Sequence, residues 1–389
     1  MSIRAKYYKA KEIAKRDGIL AVYRRVLRKL IGKSTCYIHR WSHRIQRTLD
    51  SSDELKIAFY PTGGLGDYIV SAKILEELLA LVKCNVDIYC EKFDFGKAIY
   101  GNRTGVNVKP FEKFEEERYE SDLALTVEHF IHIRNANWSR LKSISPNLYA
   151  RLRYIKDNWG HLYVDIPQQC FRELVHFERC RIQGLNRWTE LRMGKAFDVI
   201  DQKVSIPMND EYREMYEKLS FAGREFITMN CGTDAMRSVG TQTKAWMNSY
   251  YEELAQIIKH SKKNIMIVQL GSGDGIKLKN MDFHIMGESL ELTKWILKGS
   301  KLHVDIEGGL VHLATQLGTR CAVLFGPTPQ HMYAYEQNEN ICNEKCYGCM
   351  GCHEDWAYRC YKGNEVPMCM KMITPQLVWD RIKKYIEGI

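Results

Sequence analysis

Long apolar runs are missing from this 389-residue sequence. No window approaches the ~18 consecutive apolar residues of a membrane-spanning helix, so no transmembrane helix is expected. The N-terminal residues are charged throughout and lack an apolar stretch ending in a small-residue cleavage site. No secretory leader is expected either, and a cytoplasmic protein is. Low-complexity tracts are absent, and 45% apolar with 27% charged residues excludes wholesale disorder. The length suits two domains rather than one small core.

Acidic residues are scarce at one end only. Residues 1–47 hold 14 Lys/Arg against Glu12 and Asp17, a local charge of +12, whereas the whole chain carries +10 and its remainder −2. That distribution argues against nucleic-acid binding by the whole protein and points to a basic attachment on a near-neutral body. Between Ile19 and Ile31, Val22, Val26, Leu27 and Leu30 alternate with Arg24, Arg25, Arg28 and Lys29. This is helical spacing with one apolar and one cationic face. Such a helix docks on an anionic membrane surface, packs on the body, or self-associates.

Further along, short apolar strands alternate with helical patterns, which implies an α/β protein with parallel, doubly wound sheets. Residues 1–50 are read as the basic helical extension and 51–204 as a first domain. Residues 205–373 form a second domain, and 374–389 a C-terminal helix started by Thr374-Pro375. Strands are expected at Lys56–Tyr60, Asn85–Cys90, Asp122–Val127, Phe226–Asn230, Asn264–Leu270, Leu302–Ile306 and Cys321–Phe325. Ser249 and Glu252 have capping-box spacing. Residues 130–195 show no regular pattern and are read as irregular.

Two glycine turns carry the chemistry. After the first strand comes Gly63-Gly64-Leu65-Gly66-Asp67. It is neither the dinucleotide fingerprint Gly-x-Gly-x-x-Gly nor a Walker A loop. Glycines there let a ligand approach the backbone at a helix N-terminus, and Asp67 stands at the sheet's mouth as a base or a helix cap. The second turn is Asp305-Ile306-Glu307-Gly308-Gly309, with His312 on the helix that follows. Its amides suit a phosphate and Glu307 suits sugar hydroxyls, although Asp305 or Glu307 could instead cap the helix. Lys244, in a loop, is placed to neutralise a diphosphate.

Six of the 13 cysteines fall within residues 342–369. A disulfide framework is not expected in a cytosolic protein. The spacing Cys346-x2-Cys349 with later cysteines is that of a structural thiolate site, for which Cys346, Cys349, Cys360 and Cys369 are the expected ligands, with Cys352 or Cys342 as substitutes. Zinc and iron both suit it.

Taken together, Lys56–Leu79 with Gly-Gly-Leu-Gly-Asp, Lys244-Ala245-Trp246, Ile267–Gly271, Asp305–Gly326 with Gly-Gly-Leu-Val-His, and Cys369-Met370 resemble glycosyltransferase family 9, the lipopolysaccharide heptosyltransferases. The resemblance spans about residues 55–387, leaving out 130–195. It implies a GT-B fold, two Rossmann-like domains facing a cleft, and an inverting, metal-independent transfer of sugar from a nucleotide-sugar donor. In that scheme Asp67 is the base, in a loop with Gly63, Gly64 and Gly66. Lys244, Gly271, Glu307, Gly308, Gly309 and His312 hold the donor, with ADP-heptose the first candidate. Glu307 replaces the family's usual Asp, which reshapes the sugar pocket. The acceptor would be a surface glycan or a protein hydroxyl, and the enzyme would be cytoplasmic, peripheral on the inner membrane face through residues 1–47. A protein-modifying branch of the family carries a cysteine-bound iron in the region of 342–369. The competing readings are a nucleotide-sugar epimerase of the same fold and a metal-stabilised scaffold without catalysis.

Overall fold

The computed structural model describes residues 52–158, 169–232 and 242–387. Strand β1 (Leu55–Pro61) is buried along most of its length, as expected of a strand with helices on both sheet faces. It sits at the centre of a five-stranded sheet of order β3-β2-β1-β4-β5. The flanking strands are β2 (Cys84–Cys90), β3 (Val106–Pro110), β4 (Leu123–Val127) and β5 (Ile131–Ala136). The first four run parallel, and β5 pairs antiparallel to β4 with Leu123 opposite Ala136. The expected parallel sheet therefore has an antiparallel edge. Strand β5 is the start of the stretch read as irregular, which also holds helices Trp138–Ile144, Pro146–Asn158 and Gln169–Ile182.

The second sheet is six-stranded and parallel throughout, in the order β11-β10-β9-β6-β7-β8. Its strands are β6 (Phe226–Asn230), β7 (Met266–Gly271), β8 (Phe283–Met286), β9 (His303–Ile306), β10 (Cys321–Phe325) and β11 (Glu339–Cys342). The helix Pro375–Glu387 packs on helix Asn248–Ser261 beside this sheet. Thr374 Oγ1 accepts the Leu377 amide at 3.2 Å, the cap its sequence implied. The capping box at Ser249 and Glu252 does not form. The helix begins two residues earlier, capped at Met247 without a side-chain bond, and Glu252 instead accepts the Lys279 amide at 2.9 Å.

The two sheets share one core. Ile57 and Phe59 of the first belong to the same buried cluster as Val268 and Phe325 of the second. Lys294 ties the halves: its buried ammonium donates to the carbonyls of Ala98 (2.9 Å) and Pro207 (2.6 Å) and pairs with Glu291. Among the described residues no helix is long and apolar enough to cross a membrane. The basic helix read between Ile19 and Ile31 lies outside the described residues.

Candidate functional site

Each sheet presents one glycine turn at the carboxyl end of a central strand, and the two turns meet. After β1, Gly63 adopts φ +92°, a left-handed conformation natural to glycine. Helix Leu65–Leu81 follows. Past β9, Glu307-Gly308 leads into helix Gly309–Gln316, which packs on the first. The approach is so close that a Cβ on Gly66 would lie 2.6 Å from His312 Cδ2, and one on Gly309 would lie 2.7 Å from Leu65 Cβ. These glycines are thus fixed by contact between the halves as much as by any ligand.

The turns open onto a cleft of about 630 Å³. Gly64, Gly66, Asp67, Lys244, Gly271, Glu307, Gly308, Gly309 and His312 all line it. Residues about 240 positions apart in the chain come together there, which is the placement that open α/β sheets give to ligand sites. Gly63 stands behind the turn and does not line the cleft.

Asp67 both caps and faces the cleft. One oxygen, Oδ2, accepts the Gly64 amide at 2.8 Å; the other, Oδ1, accepts Arg187 Nη2 at 2.8 Å. Its side chain keeps 29% exposure toward the cleft. Burial pushes its pKa up, but the charges of Arg187 and His129 and the two hydrogen bonds outweigh that and hold it below the usual carboxylate range.

Opposite stands an ion pair, Lys244 Nζ to Glu307 Oε2 at 2.5 Å, with both side chains largely buried. Neither Glu307 nor Asp305 caps the helix, whose first residue follows Gly308 without a side-chain bond. Burial raises the Glu307 carboxyl, yet Lys244 and His312 overcome it and bring it down to about 2. His312 is a packed residue and a cleft residue at once. Its Nδ1 shares a 2.5 Å hydrogen bond with the Tyr335 hydroxyl, and its Nε2 lies 3.8 Å from Glu307. Asp305 is turned inward, accepting from Asn230 Nδ2 at 2.9 Å and from the Ile306 amide at 2.8 Å.

Sequence reading missed the layer beneath Asp67. Arg187 is buried and forks between two carboxylates, Asp67 and Glu190, the latter at 2.6 Å through Nη1. Glu190 is also within hydrogen-bond reach of His129 Nδ1 (3.0 Å) and His176 Nε2 (2.7 Å). The ligand atoms of His129, His176 and Glu190 lie within 4.8 Å of one another, near enough to close on a cation. Arg187 argues against one: a dication there would press on a buried guanidinium that already satisfies Glu190. The group is a hydrogen-bonded charge cluster.

This cluster predicts an acid limit to stability. Against burial, the charges of His129 and Arg187 bring the Glu190 carboxyl down from the ordinary 4.5 to about 2, as Lys244 and His312 do for Glu307. A depressed carboxylate stabilises the fold above its unfolded pKa, and that contribution is lost as pH falls through the folded value. The melting temperature should be insensitive to these two groups above pH 4.5 and fall steadily between 4.5 and 2. A flat profile through that window would contradict the assignment.

The cysteine-rich segment folds against the end of β10. Gly348 donates to the Gly326 carbonyl (3.0 Å) and Met350 to that of Pro327 (2.8 Å). Cys346, Cys349, Cys360 and Cys369 line one small cavity of about 160 Å³; Cys342 and Cys352 do not. Burial pushes the Cys349 thiol up to about 11, and the neighbouring cysteines Cys352, Cys360 and Cys346 push it the same way. Cys360 is drawn down, against burial, by the amides of Lys362, Asn364 and Met368. Among the described residues these sulfurs are not drawn together as tightly as the His129 group.

Comparison with known proteins follows the same lines. Residues 183–359 match the model of glycosyltransferase family 9 (heptosyltransferase). No curated protein sequence matches the chain. The fold is similar to that of the E. coli ADP-heptose lipopolysaccharide heptosyltransferase II, at 15% identity and TM-score 0.53 over 86% of this chain and 99% of that one. It is also similar to TibC of enterotoxigenic E. coli, an iron-containing dodecameric glycosyltransferase, at 13% identity and TM-score 0.55, over 86% of this chain and 78% of that one. A family 9 glycosyltransferase of Veillonella parvula aligns at 12% identity and TM-score 0.52, over 86% of this chain and 98% of that one. Identities this low speak for fold. Through residues 183–359 the chain is similar to glycosyltransferase family 9, the heptosyltransferase family, and that match together with the fold supports a glycosyltransferase.

Proposed function

We propose that this glycosyltransferase moves a sugar from a nucleoside-diphosphate donor to a hydroxyl acceptor with inversion at the anomeric carbon. The observation that carries this reading is one cleft holding a carboxylate, Asp67, across from a lysine and a glycine turn suited to a diphosphate. Asp67 takes the proton of the acceptor hydroxyl as its oxygen bonds to the anomeric carbon. The bond from that carbon to the diphosphate oxygen breaks, and the nucleoside diphosphate leaves with the electron pair. Lys244 and the amides at Gly308–Gly309 take up the developing negative charge. Glu307, then shared between Lys244 and the sugar, fixes donor hydroxyls. ADP-heptose is the first donor to test, because one structure of TibC holds ADP-D-β-D-heptose. A surface glycan or protein hydroxyl is the acceptor class. Residues 1–47 hold the enzyme at an anionic membrane surface.

The four cysteines fit a thiolate-bound iron or zinc by donor chemistry and by shared cavity, although their sulfurs would have to draw closer to hold it. Such an ion would supply a cross-link and no step of the transfer.

The test is nucleotide release from ADP-heptose, UDP-hexoses and GDP-hexoses with and without candidate acceptors. Acceptor-dependent release, with an inverted product linkage by NMR, supports transfer. Release or epimerisation without acceptor would favour the epimerase reading instead. Lys244→Ala should lower kcat about 10²- to 10³-fold, the loss typical of one charge-stabilising donor. An unchanged kcat would remove Lys244 from the leaving-group role.

A further inference from the structure

Residues 242–247, which carry Lys244, hold no helix or strand, and besides the Glu307 ion pair they are tied to the cysteine-rich segment. Thr243 is buried. Its amide donates to the Ala357 carbonyl at 3.1 Å, and its hydroxyl donates to the Trp356 carbonyl at 2.7 Å. Three residues later, buried Trp246 donates from its indole to the Ile373 carbonyl at 2.7 Å, just beyond Cys369. Lys244 therefore lies between two anchored residues, and Thr243 itself lines the thiol cavity. Trp356 and Met350 of the same segment also line the donor cleft.

The two acceptor carbonyls, at 356 and 357, lie in the stretch between Cys349 and Cys360. That stretch is turns and bends without a helix or strand. A segment held by few regular hydrogen bonds opens locally at low cost. A cross-link between Cys349 and Cys360 would close it as a short loop and remove that freedom.

We propose that Thr243 is a positioning residue that couples the thiol cavity to the donor site, so that ion occupancy at the cysteines is read out as nucleotide affinity. The inference rests on the donor site proposed above. It asks nothing of the ion in the transfer itself, because the coupling runs through backbone hydrogen bonds to the loop bearing Lys244.

The test uses the full-length protein, with ADP as probe by isothermal titration calorimetry and metal per chain by elemental analysis. Thr243→Val should keep the wild-type metal content and bind ADP about 5- to 10-fold more weakly, the effect of losing one buried hydrogen bond. Thr243→Ser, which keeps the hydroxyl, should restore wild-type affinity. Cys360→Ser should lose metal and weaken ADP binding with Thr243 intact. In the double variant the two losses should not add, since both act through one contact. The proposal is overturned if Thr243→Val binds ADP like wild type, if Thr243→Ser is as weak as Thr243→Val, if Cys360→Ser loses metal without losing affinity, or if the wild-type protein holds no metal. If the wild-type protein binds neither ADP nor UDP nor GDP, the donor site itself falls, and this coupling with it.

Discussion

Asp67→Asn should lower kcat about 10²- to 10⁴-fold, the contribution of a general base, while leaving ADP binding within a factor of about 2. The substitution is nearly isosteric, so the acceptor pocket keeps its shape. What changes is the count of acceptors. In the native protein the carboxylate takes one donor on each oxygen, the Gly64 amide and Arg187. An amide offers one oxygen to those two donors, so one of them is left facing an NH₂ group. That costs about 1–3 kcal/mol, which a melting curve will register. The kinetic loss is larger than such destabilisation explains at 25 °C, and ADP titration separates them because Lys244 and Gly308 are untouched. A variant that keeps kcat within a factor of ten would remove Asp67 from the base role and leave it a helix cap.

Why Asp67 was legible and its support was not follows from chain distance. Asp67 sits in a local pattern, a buried strand, then glycines, then a helix with buried Ile69, Ile74 and Leu78. The same holds for Glu307 after β9. Strands buried on both faces, such as β6 and β10, show as apolar runs. Edge strands do not. Strand β3 reads Val-Asn-Val-Lys-Pro and β5 reads Ile-His-Ile-Arg-Asn-Ala, half polar because one side meets solvent or loops. Arg187 lies 120 residues from Asp67, in a segment with no pattern of its own. Nothing local distinguishes it from a solvated arginine, and only the fold brings its fork between two carboxylates. His129 and His176 are alike in this: each is unremarkable in sequence and meaningful through Glu190.

Helix Gln169–Ile182 shows a further limit. It carries His176 and Cys180 on its buried side, with the Cys180 sulfur 3.6 Å from His176 Nε2. Arg172, Glu173, Arg179 and Arg181 make the same stretch look like a polar loop in the sequence. Its Cys170 carbonyl would lie 2.7 Å from a Cβ on Gly351, so the helix also seats the cysteine-rich segment. The charge cluster beneath the cleft and the thiol segment are thus joined by an element that periodicity alone did not reveal.

Arg187→Met should be the most damaging single change beneath the site. It preserves bulk but removes the cation between Asp67 and Glu190, and stripping one partner from a buried ion pair costs about 3–5 kcal/mol. Two readouts separate this from general loss of packing. The first is the acid limb of kcat/KM. Asp67 works as a base only when ionised. Burial already pushes its pKa up, and Arg187 is the largest of the influences holding it down. Without Arg187 the pKa rises, so the acid limb moves to higher pH. The second is the pH dependence of stability. In the wild-type protein the depressed Asp67 stabilises the fold above its unfolded pKa, and the effect is lost in acid. In Arg187→Met that depression shrinks, so less stabilisation is present above the unfolded pKa and less is lost in acid. The variant's deficit in melting temperature relative to wild type should therefore narrow as pH falls from 4.5 toward about 2, where Arg187 also holds Glu190 down. Arg187→Lys should recover part of the stability but little of the rate. Its single ammonium cannot reach both carboxylates in the fork geometry, with Nη1 on Glu190 and Nη2 on Asp67. An unshifted acid limb in Arg187→Met, with protein still folded, would show that Asp67 is tuned by something other than this guanidinium.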